Sequence, residues 1–219
     1  MKADHRGIGL TSQRARDRLM RELREMGIGS REVLHAMRTV PRHLFVDEAL
    51  AGRAYENTAL PIGYGQTISQ PYIVARMTEA LFVSGAMDKI LEIGAGTGYQ
   101  SAVLAQFAKS VHSIERIGAL AARLRERLAA LHYRTVRVKH GDGRSGWQDH
   151  APYDAILIAA AVDRAPPALL EQLAIGGRIV APVGESGSQW LVLVTRYPEH
   201  FEEKPLEEVR FVPLIAGLG

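Results

Sequence analysis

Leu91-Glu92-Ile93-Gly94-Ala95-Gly96-Thr97-Gly98-Tyr99 is the stretch that decides the fold. Lys89 to Ile93 reads as a short apolar strand, and Gly98 to Ala108 as a helix. Glycines at 94, 96 and 98 lie between them. Without a Cβ they allow a tight turn and close approach of a ligand to the backbone. In a doubly wound sheet, ligands bind in the crevice outside the carboxyl ends of the strands, where this turn falls. The spacing separates ligand classes. A dinucleotide fingerprint, G-x-G-x-x-G, needs glycine at 99, where Tyr99 stands. A phosphate loop needs G-x-x-x-x-G-K-[ST], and no such lysine follows.

Downstream, strands and helices alternate. Val111–Glu115, Val136–Lys139, Tyr153–Ala159 and Arg178–Val183 read as strands. Gly118–Leu131 and Pro166–Leu173 read as helices, and Gly176-Gly177 as a turn. Gln189–Thr195 and Val209–Leu214 read as two closing strands. The alternation predicts an α/β fold with a doubly wound, mostly parallel sheet and helices on both faces. Glu115 ends the second strand, where a carboxylate accepts both hydroxyls of a ribose. That supports a nucleoside ligand without choosing among cofactors; the competing reading is a surface carboxylate paired with Arg116. Gly141-Asp142-Gly143 follows the third strand. Asp142 is placed there to accept an adenine amino group, although Asp-Gly is also a common turn.

Upstream, residues 1–56 read as a helical extension and 57–219 as the main domain. Ser12 is placed to cap a helix that Gly27 ends, and Ser30 to cap a second one. Residues 57–69, NTALPIGYGQTIS, show neither helical nor strand period and read as a loop. A helix opening at Pro71 follows. Arg14, Arg16, Arg18, Arg21 and Arg24 interleave with Asp17, Glu22 and Glu25. The simplest account is a solvated helix face with an Asp17–Arg21 pair; an RNA-binding patch is the alternative. The net charge of +3 permits acidic partners without demanding nucleic acid.

Hydrophobic residues make up 47% and charged residues 23% of 219, as in globular chains. No apolar run approaches the roughly 20 residues that span a bilayer. The opening residues, Met1 to Arg6, lack an apolar leader core, so a cytoplasmic protein is expected. The absence of cysteine excludes disulfides, thiolate nucleophiles and zinc–thiolate sites. Eight scattered histidines, with no HExxH, point to no metal site.

The motif at 92–98, E-x-G-x-G-x-G, resembles the cofactor turn of class I S-adenosylmethionine methyltransferases. The run from Arg53 to Tyr72, with GQTISQP at 65–71, resembles the signature of the protein-L-isoaspartate O-methyltransferases. LEIGAGTGYQSAVLA from Leu91, SIER from Ser113, GDGRSGW from Gly141, PYDAILIAAA from Pro152 and QLAIGGRIVAPVG from Gln172 agree with it. The likeness implies a Rossmann-like methyltransferase sheet with altered order in its last two strands. It implies Ser69 as the active-site serine, with Thr67 and Ser69 on the substrate. It places the cofactor, S-adenosyl-L-methionine, against Gln66, Ile68, Glu92, Gly94, Gly96, Gly98, Glu115, Asp142 and Gly143, with S-adenosyl-L-homocysteine as product. Substrates would be isoaspartyl residues in damaged proteins. No nucleic acid, membrane or metal is implied, and a monomer is expected.

The chemistry fits those residue types. The α-carboxylate of an isoaspartyl residue has a pKa of about 3.5 and is ionised at neutral pH, so no general base is needed. A positive sulfonium and a negative oxygen neutralise as the methyl moves, which favours an aligned, water-poor site. Ser69 is then a positioning donor and Thr67 a second hydroxyl; on local sequence alone, Ser69 is equally an N-cap for the Pro71 helix. Two alternatives stay open: a methyltransferase acting on RNA or a small molecule, and a non-catalytic RNA-binding module. The N-terminal helices are expected to cover the substrate cleft.

Overall fold

The computed structural model describes residues 7–82, 87–185 and 187–219. Two amphipathic helices open it, α1 (Gln13–Glu25) and α2 (Arg31–Thr39). Leu19 and Leu23 of α1 and Val33 and Met37 of α2 are buried at helical spacing. Gly27, at φ +101°, ends the first helix. Ser30 Oγ accepts from Val33 N at 3.2 Å, a true N-cap. Ser12 holds the cap position of α1 but makes no side-chain cap bond. The Asp17–Arg21 pair is replaced by Asp17–Arg38 at 2.6 Å, across to α2. Arg16 is not on a solvated face; it is buried, 5.6 Å from the Tyr55 ring centroid.

The stretch expected as a loop contains a hairpin, β1 (Leu60–Gly63) and β2 (Gln66–Ile68). Tyr64 and Gly65 form its turn at φ +55° and +69°, the positive pair that matches the twist of flanking strands. Leu60, Ile62 and Ile68 are buried, so the alternation is real but only a few residues long. Helix α3 (Pro71–Leu81) follows, with proline at its first position.

The main sheet contains β3 (Met87–Ile93), β4 (Ala108–Glu115), β5 (Val136–His140), β6 (Tyr153–Ile158), β7 (Leu173–Glu185), β8 (Ser188–Arg196) and β9 (Phe201–Val209). Its order is β5-β4-β3-β6-β7-β8-β9. The pairs from β5 to β7 are parallel, and β8 and β9 are added antiparallel in chain order. Helices α4 (Tyr99–Leu104), α5 (Gly118–Ala130) and α6 (Pro167–Glu171) complete the fold. Ile90 and Leu157 face a core shared with α3 and α4, whereas Leu91 and Ile158 face one shared with α6. The apolar residues of α1 and α2 join a continuous cluster with Tyr99 and Leu124.

Three boundaries differ from expectation. Helix α4 stops at Leu104, because β4 already begins at Ala108. Gly176 at φ +80° lies in an irregular stretch of β7, between the Tyr153–Leu173 and Ala155–Arg178 pairs, rather than in a free turn. The last strand is Phe201–Val209, not Val209–Leu214. Its sequence, FEEKPLEEV, is charged and holds Pro205, which an exposed edge strand tolerates. The segment after it is a tail that pairs with Ala161, just beyond the carboxyl end of the central strand β6: Ala161 N donates to Val212 O at 2.8 Å and Leu214 N to Ala161 O at 2.7 Å.

Candidate active site

The carboxyl ends of β3, β4 and β6 open into a cavity of about 680 Å³. Its floor is the glycine turn. Gly94, Gly96 and Gly98 take φ of +81°, +54° and +87°, which only glycine adopts at low cost. Gly94 N and Ala95 N both donate to Ile114 O, so the turn is pinned to β4. Gly94 and Gly96 line the cavity; Gly98 lies behind them, where a Cβ would stand 2.2 Å from Leu124 Cδ1. Gly143 also lines it, and a Cβ there would stand 2.2 Å from Ile93 Cγ2.

Glu115 reaches the cavity from the end of β4 and is 5% exposed. Its Oε2 accepts from Gly96 N at 2.8 Å and its Oε1 from Ile117 N at 2.9 Å. A carboxylate offers about four acceptor positions, so lone pairs remain for a ligand. These bonds rule out the surface pairing with Arg116 as its main role.

Gln66, Thr67 and Ser69 line the opposite wall. The hairpin delivers the first two, and the connection to α3 delivers Ser69. The N-cap of α3 is Gln70, so Ser69 does not serve as the cap. Its carbonyl accepts from Arg42 Nη2 at 2.8 Å, and its hydroxyl makes no hydrogen bond among the described residues.

Besides Gly98, three expected cofactor contacts stand elsewhere. Ile68 is buried in the apolar core and is not among the residues that line the cavity. Glu92 is fully buried beneath the turn: Ser113 Oγ donates to its Oε2 at 2.6 Å, and Ser101 Oγ donates to the same oxygen. Burial pushes its carboxyl up to about 7 against the opposing effect of the two hydroxyls, and the nearby Glu115 charge adds to the rise. Asp142 is turned to the tail, accepting from Gly217 N at 2.7 Å and Arg144 N at 2.9 Å. Burial opposes the charge, but those N–H groups hold the carboxyl below its ordinary range.

The far wall comes from residues that the sequence reads as strand and not as site: Gln189 and Trp190 of β8, and the tail from Arg210 to Leu214. Gln189 clamps the tail like an extra strand, accepting from Phe211 N at 2.6 Å and donating to Phe211 O at 3.2 Å. No residue before Ala59 lines the cavity among the described residues, so α1 and α2 do not cover it as expected. Among the described residues, no group of three or more His, Asp or Glu could hold a metal.

The sequence profile of the protein-L-isoaspartate(D-aspartate) O-methyltransferases matches residues 13–219. The chain belongs to this family. A protein-L-isoaspartate O-methyltransferase of Halorhodospira halophila is 57% identical over 211 residues, 96% of each chain. One of Xanthomonas axonopodis pv. citri is 57% identical over 213 residues, 97% of this chain and 94% of its own. A solved protein-L-isoaspartate O-methyltransferase superposes with a TM-score of 0.82 at 28% identity, covering 93% of this chain and 67% of that one. A Plasmodium falciparum structure in complex with S-adenosyl-L-homocysteine shares the fold, with a TM-score of 0.77 at 23% identity over 90% of this chain and 97% of its own. In the sheet, β7, β8 and β9 lie side by side in their order along the chain.

Proposed function

We propose that the wall carrying Ser69 and the floor carrying Gly94, Gly96 and Glu115 are the acceptor and donor sides of one methyl-transfer site. The chain is a protein-L-isoaspartate O-methyltransferase that uses S-adenosylmethionine and acts on the free α-carboxylate of isoaspartyl residues. The resulting ester can expel methoxide, which a carboxylate cannot, so attack by the next backbone nitrogen releases methanol, closes a succinimide and begins repair. The observation that carries the site assignment is the single cavity that both sides share.

The residues present fit the donor. Gly94, Gly96 and Gly143 give a floor without side chains, as a nucleoside requires for close approach. Glu115 offers acceptor lone pairs beside them for ribose hydroxyls. When bound, S-adenosylmethionine supplies an electrophilic methyl on a sulfonium. The chain's own contribution is positioning. Ser69 Oγ, with Thr67 beside it, donates to the substrate carboxylate and aims one oxygen. The apolar and backbone walls exclude water, whose hydration of that carboxylate would otherwise be lost at the transition state. Glu92 acts indirectly by supporting the turn from below.

We assign catalysis to residues 57–219 and a supporting role to the helices of 1–56, in a monomer that acts in the cytoplasm. RNA is not the substrate we assign, because the N-terminal arginines do not form one stripe: Arg16 is buried against Tyr55. The test is transfer of labelled methyl from S-adenosylmethionine to isoaspartyl peptide and to RNA. The expected product is a peptide ester that releases its label as methanol in mild base. A base-stable product, or labelled RNA with unlabelled peptide, would overturn the reading.

A further inference from the structure

Arg42 is fully buried, yet no carboxylate pairs with it among the described residues. Its guanidinium meets three separate parts of the chain. Nε donates to Ala54 O at 2.9 Å, just before the hairpin. Nη2 donates to Ser69 O at 2.8 Å. The guanidinium carbon lies 4.8 Å from the ring centroid of Tyr99, the residue that follows Gly98 of the glycine turn. Nη1 has no acceptor among the described residues. Burial lowers its pKa only to about 10, so the group stays charged at neutral pH.

A buried charge held by two neutral carbonyls is expensive, and an apolar side chain of similar size would pack at lower cost. Stability alone therefore does not account for it. Its geometry does something an apolar group cannot. The rigid planar fork fixes the Ser69 main chain from one edge, while its face rests on the aromatic ring that begins α4. The two sides of the cavity are thereby held at one separation by a single side chain.

We propose that Arg42 is a positioning residue for methyl transfer: it fixes the Ser69 peptide relative to the glycine turn, and so places the Ser69 hydroxyl against the acceptor carboxylate. This rests on the assignment of Ser69 above. Arg42 binds the carbonyl and not the hydroxyl, so the two contributions are separable by mutation.

The test is a double-mutant cycle of Arg42→Lys and Ser69→Ala, read as kcat and KM for an isoaspartyl peptide with S-adenosylmethionine affinity measured in parallel. Lysine keeps the charge, with its donors on a single nitrogen, but cannot span both carbonyls as a fork or stack as a plane. A displacement of about 1 Å costs up to roughly 10²-fold in rate, so we expect kcat of Arg42→Lys to fall by about 10-fold or more. Cofactor affinity should stay within about 2-fold, since the floor is anchored to β4 independently. In the Ser69→Ala background, Arg42→Lys should lower kcat by less than about 2-fold, because there is no hydroxyl left to place. Circular dichroism and Tm establish folding, and Arg42→Met serves as a second variant if lysine does not fold. Unchanged kcat in folded Arg42→Lys, or a full additional loss in the double variant, overturns the inference. If Ser69→Ala alone leaves kcat unchanged, it is the site assignment that fails.

Discussion

At Glu115, two carboxylate oxygens carry a structural duty together with the ligand-binding duty proposed above. They hold Gly96 N and Ile117 N while keeping acceptor capacity toward the cavity. Hydrogen bonds to charged groups contribute about 1.5–3 kcal/mol, so Glu115→Ala should weaken S-adenosylmethionine binding by roughly 10- to 10²-fold. Calorimetry checks this, and unchanged affinity would remove the residue from the site. Ser69→Ala should lower turnover by roughly 10²-fold, by analogy with loss of an oxyanion-hole donor. Because Gln70 and not Ser69 caps α3, Tm should barely move, and turnover and melting measured on one sample separate the two effects. Glu92 gives a pH signature. Its folded carboxyl is raised from 4.5 to about 7, so the folded state keeps a proton that the unfolded state has lost. Stability should therefore fall as pH rises from about 4.5 to 7 and level off above, a loss of the order of 3 kcal/mol. Glu92→Gln cannot titrate, so its stability relative to the parent should be greater at pH 8 than at pH 5 by urea unfolding; an equal difference at both would contradict the shift. The glycines were legible in the sequence because positive φ demands glycine. The directions of Glu92 and Asp142 were not, since each is turned by a distant partner, Ser113 in one case and Gly217 in the other.

The hairpin of β1 and β2 is the element that carries Gln66 and Thr67, on the wall proposed for the acceptor, to the cavity. Its turn depends on Gly65 at φ +69°, next to Tyr64 at +55°. A β-branched residue is strained there, so Gly65→Val should unsettle the hairpin by about 1–3 kcal/mol. The expected outcome is a raised KM for isoaspartyl peptide with cofactor affinity nearly intact, because the glycine turn hangs from β3. Equal loss of both would mean that the hairpin belongs to the donor side. The sequence reads this segment as a loop because its strands hold only four and three residues, and because its turn is Tyr-Gly instead of Asn-Gly. Strand β9 escaped for a different reason: an edge strand exposed to water has no apolar period to detect. The buried strands β3 and β6 were legible because burial on both faces leaves a continuous apolar run.

In the whole molecule, a parallel sheet gathers its strand ends at one edge, and that edge becomes the site. Alternation of strands and helices was sufficient to predict the sheet, and with it the strand-end positions of the glycine turn and Glu115. The tail and the Gln189–Trp190 wall were not predictable, since they reach the cavity by tertiary packing across the antiparallel end of the sheet. No helix among the described residues is long and apolar enough to cross a membrane. The central claim is that this one cavity aligns an isoaspartyl α-carboxylate with the methyl donor. In an isoaspartyl linkage the main chain runs through the side-chain carboxyl, leaving the α-carboxyl free and adding a methylene to the backbone. A normal aspartate docked by the same flanking residues places its carboxylate about one bond length away, and a displacement near 1 Å costs roughly 10²-fold. The direct measurement is kcat/KM for two peptides identical except for that linkage. The account predicts a preference for the isoaspartyl peptide of about 10²-fold or more; equal values for the two peptides would contradict it.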